Sequence, residues 1–146
     1  MKILFIAMSE SVHTSRWINQ IKNQNWDIYL FPSYDNRNIY KDLNDIKICI
    51  PFFKLKQKIE KIGLSKYSNF LYTKITNWKI NNSEDYYAKR LVKYINLIKP
   101  DIIHSLETQG GGYLVSKVKI DFFKSNNFPP WWHTNWGSDI YLFGRL

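Results

Sequence analysis

The sequence predicts an α/β fold of three layers, in which an open and mostly parallel sheet carries helices on both faces. The chain begins with a run at residues 2–8 that is continuously apolar after Lys2, which is typical of a strand covered on both sides. Two more short strands are predicted at residues 26–31 and 45–50, and a proline ends each of them. Because a helical pattern joins the first strand to the second, we expect a parallel sheet with the first strand at its centre. The length of 146 residues corresponds to one domain.

The first strand leads into a polar loop and a helix. Residues 9–13 are polar, and Thr14 is expected to cap a helix whose inward face carries Trp17, Ile18 and Ile21. In an open α/β sheet, ligands bind at the loops that leave the carboxyl ends of the strands. The loop at residues 9–13 is therefore a candidate binding loop.

The second half of the chain continues the alternation of helix and strand. A helix is expected from a cap at Ser83 to the position before Pro100, with an apolar stripe that faces the sheet. The stripe consists of Leu91, Tyr94, Ile95 and Ile98. The remaining predicted elements are a strand at 101–106, a loop at 107–112, a helix at 113–124 and a strand at 131–135.

The composition suits a packed globular domain in a reducing compartment. Hydrophobic residues make up 45% of the chain. The one cysteine, Cys49, lies within an apolar strand, so a disulfide framework is excluded. No apolar stretch approaches the roughly 20 residues of a membrane-spanning helix. We expect a cytoplasmic protein, at most peripherally attached to the inner face of the membrane.

The net charge of +9 is compatible with three kinds of partner: nucleic acid, an anionic membrane surface or a phosphorylated ligand. The bias of an AT-rich genome towards lysine accounts for part of the excess equally well. Residues 52–82 combine many lysines with aromatic residues in an amphipathic pattern, which is typical of a helix lying on a membrane surface. The same pattern suits a solvated charged face on a helix that packs against the domain, and both interpretations stay open.

Three loops are expected to converge, at residues 9–13, 107–112 and 136–139. Because the carboxyl ends of parallel strands lie along one edge of a sheet, these loops should form a site. Three consecutive glycines in the second loop allow close approach of a phosphate or a sugar and would leave backbone N–H groups pointing at it. Tight packing alone also explains these glycines, since the loop has neither a G-x-G-x-x-G pattern nor a P-loop lysine.

Single side chains in this region suggest no particular reaction. Glu107 could serve as a base or as an acceptor for hydroxyl groups, and His13 could donate to a phosphate or a sugar. His104 and His133 lie within strands, where they are expected to be hydrogen-bonded core residues. No metal site is expected, because the histidines lack cysteine partners and metal-ligand spacing. Covalent hydrolase chemistry is disfavoured, because there is no G-x-S-x-G motif and Cys49 is expected to be buried.

Four stretches of the chain resemble the amino-terminal domain of family 4 glycosyltransferases, which have the two-domain GT-B architecture. They are residues 1–6 (MKILFI), 12–19 (VHTSRWIN), 99–104 (KPDIIH) and 134–141 (TNWGSDIY). The resemblance implies a Rossmann-like domain that holds the acceptor and faces a carboxyl-terminal domain that binds the nucleotide-sugar. Two positions depart from the family pattern. The first loop lacks the Gly-Gly of many members, and Trp136 stands where many carry a histidine.

The resemblance also implies roles for individual positions. Donor-side contacts, of the kind made to a cofactor, are implied for Ser9, Glu10, Ser11 and His13. Acceptor contacts are implied for Glu107, Thr108, Gln109, Gly110, Gly111, Trp136, Ser138 and Asp139. No resident cofactor is expected, since the nucleotide-sugar is a substrate, and no catalytic residue is assigned. A retaining reaction would rest on positioning and on electrostatic stabilisation of the leaving diphosphate.

The function that the resemblance implies is transfer of a sugar from a nucleotide-sugar to a bacterial polysaccharide or glycolipid acceptor. The family's donor-binding domain is missing from the 146 residues, so the chain alone is expected to be inactive. A stand-alone module that binds a nucleotide or a sugar phosphate is an alternative, because fold and function separate easily. A basic nucleic-acid-binding protein is a further alternative. It is disfavoured because Trp17, Tyr94 and Trp131 fall in core patterns.

Overall fold

The computed structural model describes residues 1–34, 38–43, 45–49, 85–123 and 127–136. Its helices and strands, in chain order, are β1 (Lys2–Ala7), α1 (Val12–Ile21), β2 (Asp27–Pro32), β3 (Lys47–Ile48), α2 (Tyr86–Ile98), β4 (Ile102–Leu106), α3 (Tyr113–Phe122) and β5 (Trp131–Thr134). The five strands form one parallel sheet in the order β3-β2-β1-β4-β5. The predicted fold class and the central position of the first strand are both confirmed.

Both faces of β1 are buried, by alternate side chains. Leu4 and Ile6 belong to a core cluster that includes the apolar stripes of α2 and α3. Phe5 belongs to a second cluster, together with Ile18 of α1. All four side chains are fully buried. A strand covered on both faces needs apolar residues at every position, which explains the continuous apolar run at the start of the chain.

Helix α1 begins earlier than predicted, and a different residue caps it. The cap is Ser11, whose Oγ accepts a hydrogen bond from the backbone N–H of His13 at 3.1 Å. Ser11 has the extended backbone that a cap requires, with φ −80° and ψ 130°. Thr14, the predicted cap, lies within the first turn of the helix and is fully buried.

The inward face of α1 differs from the prediction at one position. Ile18 is fully buried and Ile21 packs against the same cluster, as predicted. Trp17 lies about 100° around the helix from Ile18 and is 39% exposed, so the prediction that it faces the core is wrong. Short side chains, Thr14 and Ser15, are buried on the inward face instead. These short side chains allow the helix to pack closely on the sheet, whereas the larger indole of a tryptophan would keep the helix further from it.

Helix α2 packs on the sheet through the predicted apolar stripe. Leu91, Ile95 and Ile98 are buried in the same cluster as one face of β1. The helix ends at Lys99, which has a left-handed backbone with φ 50°. The N–H of Lys99 donates a hydrogen bond to the carbonyl of Ile95 at 2.8 Å, and this bond closes the last turn.

The third strand is shorter than predicted, with two residues where 45–50 were expected. Cys49, just beyond it, is buried, and burial raises the pKa of its thiol to about 12. Cys49 is therefore a neutral core residue, as predicted. The basic segment 52–82 and the predicted cap Ser83 lie outside the described residues, so the membrane interpretation of that segment stays a prediction. None of the described helices is long and apolar enough to cross a membrane.

The predicted loop after β4 is a wide helical turn of the π type, Glu107–Gly112. Glu107 has a left-handed backbone, with φ 65°, and is 1% exposed. Its carboxylate accepts hydrogen bonds from the N–H groups of Gly110 at 2.8 Å and of Gly111 at 2.6 Å. These two N–H groups are satisfied within the turn. The expectation that they point at a phosphate or a sugar is therefore corrected.

Gly111 is required by the close packing of this turn on the sheet. A Cβ at this position would lie 2.6 Å from the carbonyl oxygen of Ile6 and 2.7 Å from that of Leu106. Both oxygens belong to the backbone of neighbouring strands, β1 and β4, which cannot move without disturbing the sheet. Tight packing therefore accounts for this glycine.

Gly111→Ala is expected to lower the free energy of unfolding by about 1–3 kcal/mol, the usual cost of overpacking. Gly112→Ala is the comparison variant, because its Cβ would first meet a side chain, the ring of His133 at 3.0 Å, which needs to shift by a few tenths of an ångström at most, whereas at Gly111 the Cβ meets the backbone of the sheet. Urea denaturation of both variants measures the difference. Equal stability of Gly111→Ala and the unmodified chain would contradict the packing requirement.

Candidate functional site

The loops that follow β1, β4 and β5 lie at one edge of the sheet. The rings of His13 and Trp136 lie 5.6 Å apart between centroids, which joins the start of α1 to the residues after β5. Thr108 Oγ1 lies 3.1 Å from Nε2 of His133, which joins the π turn to β5. The described residues thus bring the loop after β1 against the start of the loop after β5, and the π turn against β5 itself, at the edge where the parallel sheet predicts a site.

A cleft of about 580 Å³ opens at this edge, between α1 and the end of β5. It is lined by His13, Arg16, Trp17, Gln20, Thr134, Asn135 and Trp136. A volume of several hundred Å³ is typical of a small-molecule site. The walls combine two indoles with two amides, a hydroxyl, a guanidinium and an imidazole.

One face of α1 supplies four of the lining residues. His13, Arg16, Trp17 and Gln20 recur at spacings of three and four residues, so they form one stripe along the helix. This stripe is rotated from the inward face, at the centre of which Ile18 lies. Helix α1 therefore binds the sheet with one face and forms a wall of the cleft with the next.

His104 of β4 supports the aromatic side chains near the cleft. Its ring lies 5.9 Å from that of Trp17 and 6.3 Å from that of Trp132, edge to face in both pairs. Its Nε2 is hydrogen-bonded with Thr134 Oγ1 at 2.9 Å. Burial lowers the pKa of His104, and the nearby His133 lowers it further. The ring is therefore uncharged at neutral pH and acts as a packing partner for the indoles.

His133 is hydrogen-bonded, as predicted, but it is exposed and does not lie in the core. The reason is its place on β5, the last strand of the described sheet. Its Nδ1 lies 2.9 Å from Ser105 Oγ and its Nε2 3.1 Å from Thr108 Oγ1. Ser105 accepts a further hydrogen bond from Nε1 of Trp131 at 2.8 Å. These bonds tie β5 to β4 and to the π turn, and so hold the strand that leads into the cleft.

The four predicted donor-side residues have different environments. Ser9 is fully buried, and its hydroxyl donates to the carbonyl of Asn38 at 2.8 Å. Ser11 caps α1, and Glu10 has a buried carboxylate oxygen, Oε2, that finds no hydrogen-bond partner in the described part of the chain. His13 lines the cleft. Of the four, the structure brings His13 to the cleft, whereas Ser9 and Ser11 make structural contacts.

The predicted acceptor residues also lie in different places, some at the cleft and others away from it. Trp136 lines the cleft, whereas the residues of the π turn are absent from its described lining. Glu107 is sealed inside that turn, and its burial does not fit a role as a base or as an acceptor for hydroxyl groups. Gln109 is partly buried in the same turn. Ser138 and Asp139 lie outside the described residues.

Sequence reasoning missed Arg16, Trp17 and Gln20 as cleft residues. Their helical spacing from His13 is present in the sequence, but the same segment also offers the inward pattern of Trp17, Ile18 and Ile21. Which face lies against the sheet depends on the residue at which the helix starts and on how closely the helix packs. The periodicity of apolar residues determines neither the start nor the packing distance. Thr134 and Asn135 were not predicted as cleft residues either. They belong to the stretch 134–141, which resembles the family but indicates no role for each of its residues.

The ring of His104 is expected to titrate below the ordinary histidine pKa of 6.5. The unfolded chain then binds a proton more readily than the folded chain. The free energy of unfolding should therefore decrease as the pH falls from 6.5 towards the folded-state pKa. NMR titration of the histidine ring signals measures the folded-state pKa of His104, and the variant His104→Gln identifies its signal. Urea denaturation across the same pH range measures the free energy of unfolding. A folded-state pKa at or above 6.5 would refute the burial effect.

The sequence of this chain matches a known protein family. The sequence model of a family described as "Glycosyl transferase 4-like" matches residues 2–146. Searches of curated proteins and of solved structures found no significant match. The family match covers the sheet, α1 and both walls of the cleft. This chain therefore belongs to the glycosyl transferase 4-like family.

Proposed function

We propose that this domain binds the acceptor of a glycosyltransferase in the cleft between α1 and the end of β5. One observation carries the proposal: two indole side chains, Trp17 and Trp136, line a cleft in a domain of a glycosyltransferase family. The C–H faces of a sugar ring are apolar, and flat aromatic rings bury such surfaces well. The two indoles therefore offer a stacking surface for a sugar.

The polar lining suits the hydroxyl groups of a sugar. Gln20 and Asn135 each carry an amide that both donates and accepts hydrogen bonds, so each can match a hydroxyl in either role. Thr134 is already engaged, since its hydroxyl is bonded with Nε2 of His104 at 2.9 Å. An apolar surface with a few convergent polar groups is the usual composition of a small-molecule site.

The donor would approach the same edge of the sheet. In the two-domain architecture that the resemblance implies, a second domain holds the nucleotide-sugar across the cleft. Helix α1 directs its amino terminus, with His13 in the first turn, to this edge, and a helix amino terminus favours negative charge such as a diphosphate. Positioning and electrostatic stabilisation of the leaving diphosphate would then drive transfer to a bacterial polysaccharide or glycolipid.

A nucleic-acid-binding role is the second candidate, and one observation favours it. Trp17 lies in the cleft beside Arg16 and not in the core, in a chain of net charge +9. Aromatic rings next to cations are the elements of a surface that binds single strands. Such binding weakens steeply with salt, because counterions are released from the phosphates. Stacking of a neutral sugar releases no counterions, so the salt dependence of binding distinguishes the two roles.

Trp17→Ala is expected to weaken the binding of methyl hexosides about tenfold or more, the loss typical of an aromatic anchor in a pocket. Trp132→Ala is the matched control, because Trp132 is 61% exposed and lies outside the described lining of the cleft. Calorimetric titration with a panel of methyl hexosides measures both variants.

The acceptor proposal fails if no hexoside binds the unmodified chain, or if both tryptophan variants lose the same affinity. The same titration with a short single-stranded DNA, at low and at high salt, tests the second candidate. Tight binding that disappears at high salt would favour nucleic acid over a sugar acceptor.

The 146-residue chain is expected to bind a sugar acceptor without transferring sugar to it, since the proposed donor site lies on a second domain. Incubation with radiolabelled nucleotide-sugars and methyl hexosides, followed by chromatography of the products, measures transfer. Product above the level of a control without protein would contradict the assignment of the donor site to a separate domain.

A further inference from the structure

We propose that the acceptor carries an anionic group, a carboxylate or a phosphate, that binds the guanidinium of Arg16. This inference rests on the proposed function, because it specifies the chemistry of the sugar that stacks in the same cleft. Three features support it: the charge of the cleft walls, the lack of a partner for Arg16 among the described residues, and the place of Arg16 on the cleft face of α1.

The described residues of the cleft walls carry positive charge without a matching negative charge. Arg16 is a permanent cation, and His13 lies one turn before it on the same stripe of α1. None of the described residues that line the cleft is an aspartate or a glutamate. A neutral sugar would leave this cation without a counter-charge, whereas an anionic group on the sugar would supply one.

Arg16 makes no ion pair or hydrogen bond with the described residues. Two other cations of the domain are engaged. Lys22, at the end of α1, binds Asp45 at 2.8 Å, and Arg90 is buried with its guanidinium over the ring of Phe31. The guanidinium of Arg16 therefore keeps its five N–H donors available to a ligand.

The choice of arginine at this position favours a bidentate ligand. The planar guanidinium matches a carboxylate or a phosphate with two parallel hydrogen bonds, a geometry that lysine does not offer. The chain has four arginines among its 21 basic residues, so lysine is the cation that its composition supplies by default. Because Arg16 and Trp17 line one cleft, a sugar stacked on Trp17 would present its ring substituents near the guanidinium.

The test compares three sugars that share one ring: methyl glucoside, methyl glucuronide and methyl glucoside 6-phosphate. The unmodified chain is expected to bind one of the two anionic sugars about tenfold more tightly than methyl glucoside, the gain typical of a charge-assisted hydrogen bond. Calorimetry at low ionic strength measures the three affinities, because salt weakens the interaction of exposed charges. The two anionic sugars distinguish a carboxylate from a phosphate.

Arg16→Gln is expected to bring the affinity for the anionic sugar down to that for methyl glucoside. Lys89→Gln is the control for net charge, because it removes one exposed cation from α2, and it should keep the preference. Equal affinity of the unmodified chain for all three sugars, or a preference that survives in Arg16→Gln, overturns the inference but leaves the acceptor proposal intact. Failure of all three sugars to bind overturns the inference, and the acceptor proposal fails with it if no sugar of the methyl hexoside panel binds either.

Discussion

Both faces of the central strand β1 must be buried, and the arrangement of the domain follows from this requirement. Leu4 packs under α2 and α3, and Phe5 packs under α1, so helices lie on both sides of the sheet. Parallel pairing of β1 with β2 and β4 then brings the carboxyl ends of these strands to one edge. The cleft lies at that edge, because α1 starts from the end of β1 and the chain leaves β5 beside it.

The features that could be predicted from the sequence are those set by periodic burial. The continuous apolar run of β1 predicts a strand buried on both faces, and the apolar stripe of α2 predicts a helix buried on one face. Each pattern is satisfied by one arrangement of the element in the fold. The start of α1 is different, since Ser11 and Thr14 are both good caps and the local sequence does not decide between them. The face of Trp17 could not be predicted either. An indole suits a core as well as a cleft, and the buried Thr14 and Ser15 determine how close the helix comes to the sheet.

The candidate site shows the same division between topology and local geometry. His13 and Trp136 follow strands of a parallel sheet, so their meeting could be expected from the order of the elements. The sealing of Glu107 could not, because its carboxylate turns back on the amides of Gly110 and Gly111 in a turn with positive φ. The glycines that suggested a phosphate loop serve that turn instead. Membership of the glycosyl transferase 4-like family is the reason for proposing a sugar as the ligand of the cleft, whose described lining includes two indoles and the guanidinium of Arg16.

The most direct test of an acceptor site in this cleft is an NMR titration that follows the indole N–H signals of the tryptophans while a methyl hexoside or its anionic counterpart is added. Binding in the cleft predicts shifts of the Trp17 and Trp136 signals. The signal of Trp26, which packs against the core beside α1, should stay in place. Shifts at Trp26 or Trp132 without shifts at Trp17 and Trp136 would place the ligand elsewhere and contradict the assignment of the cleft.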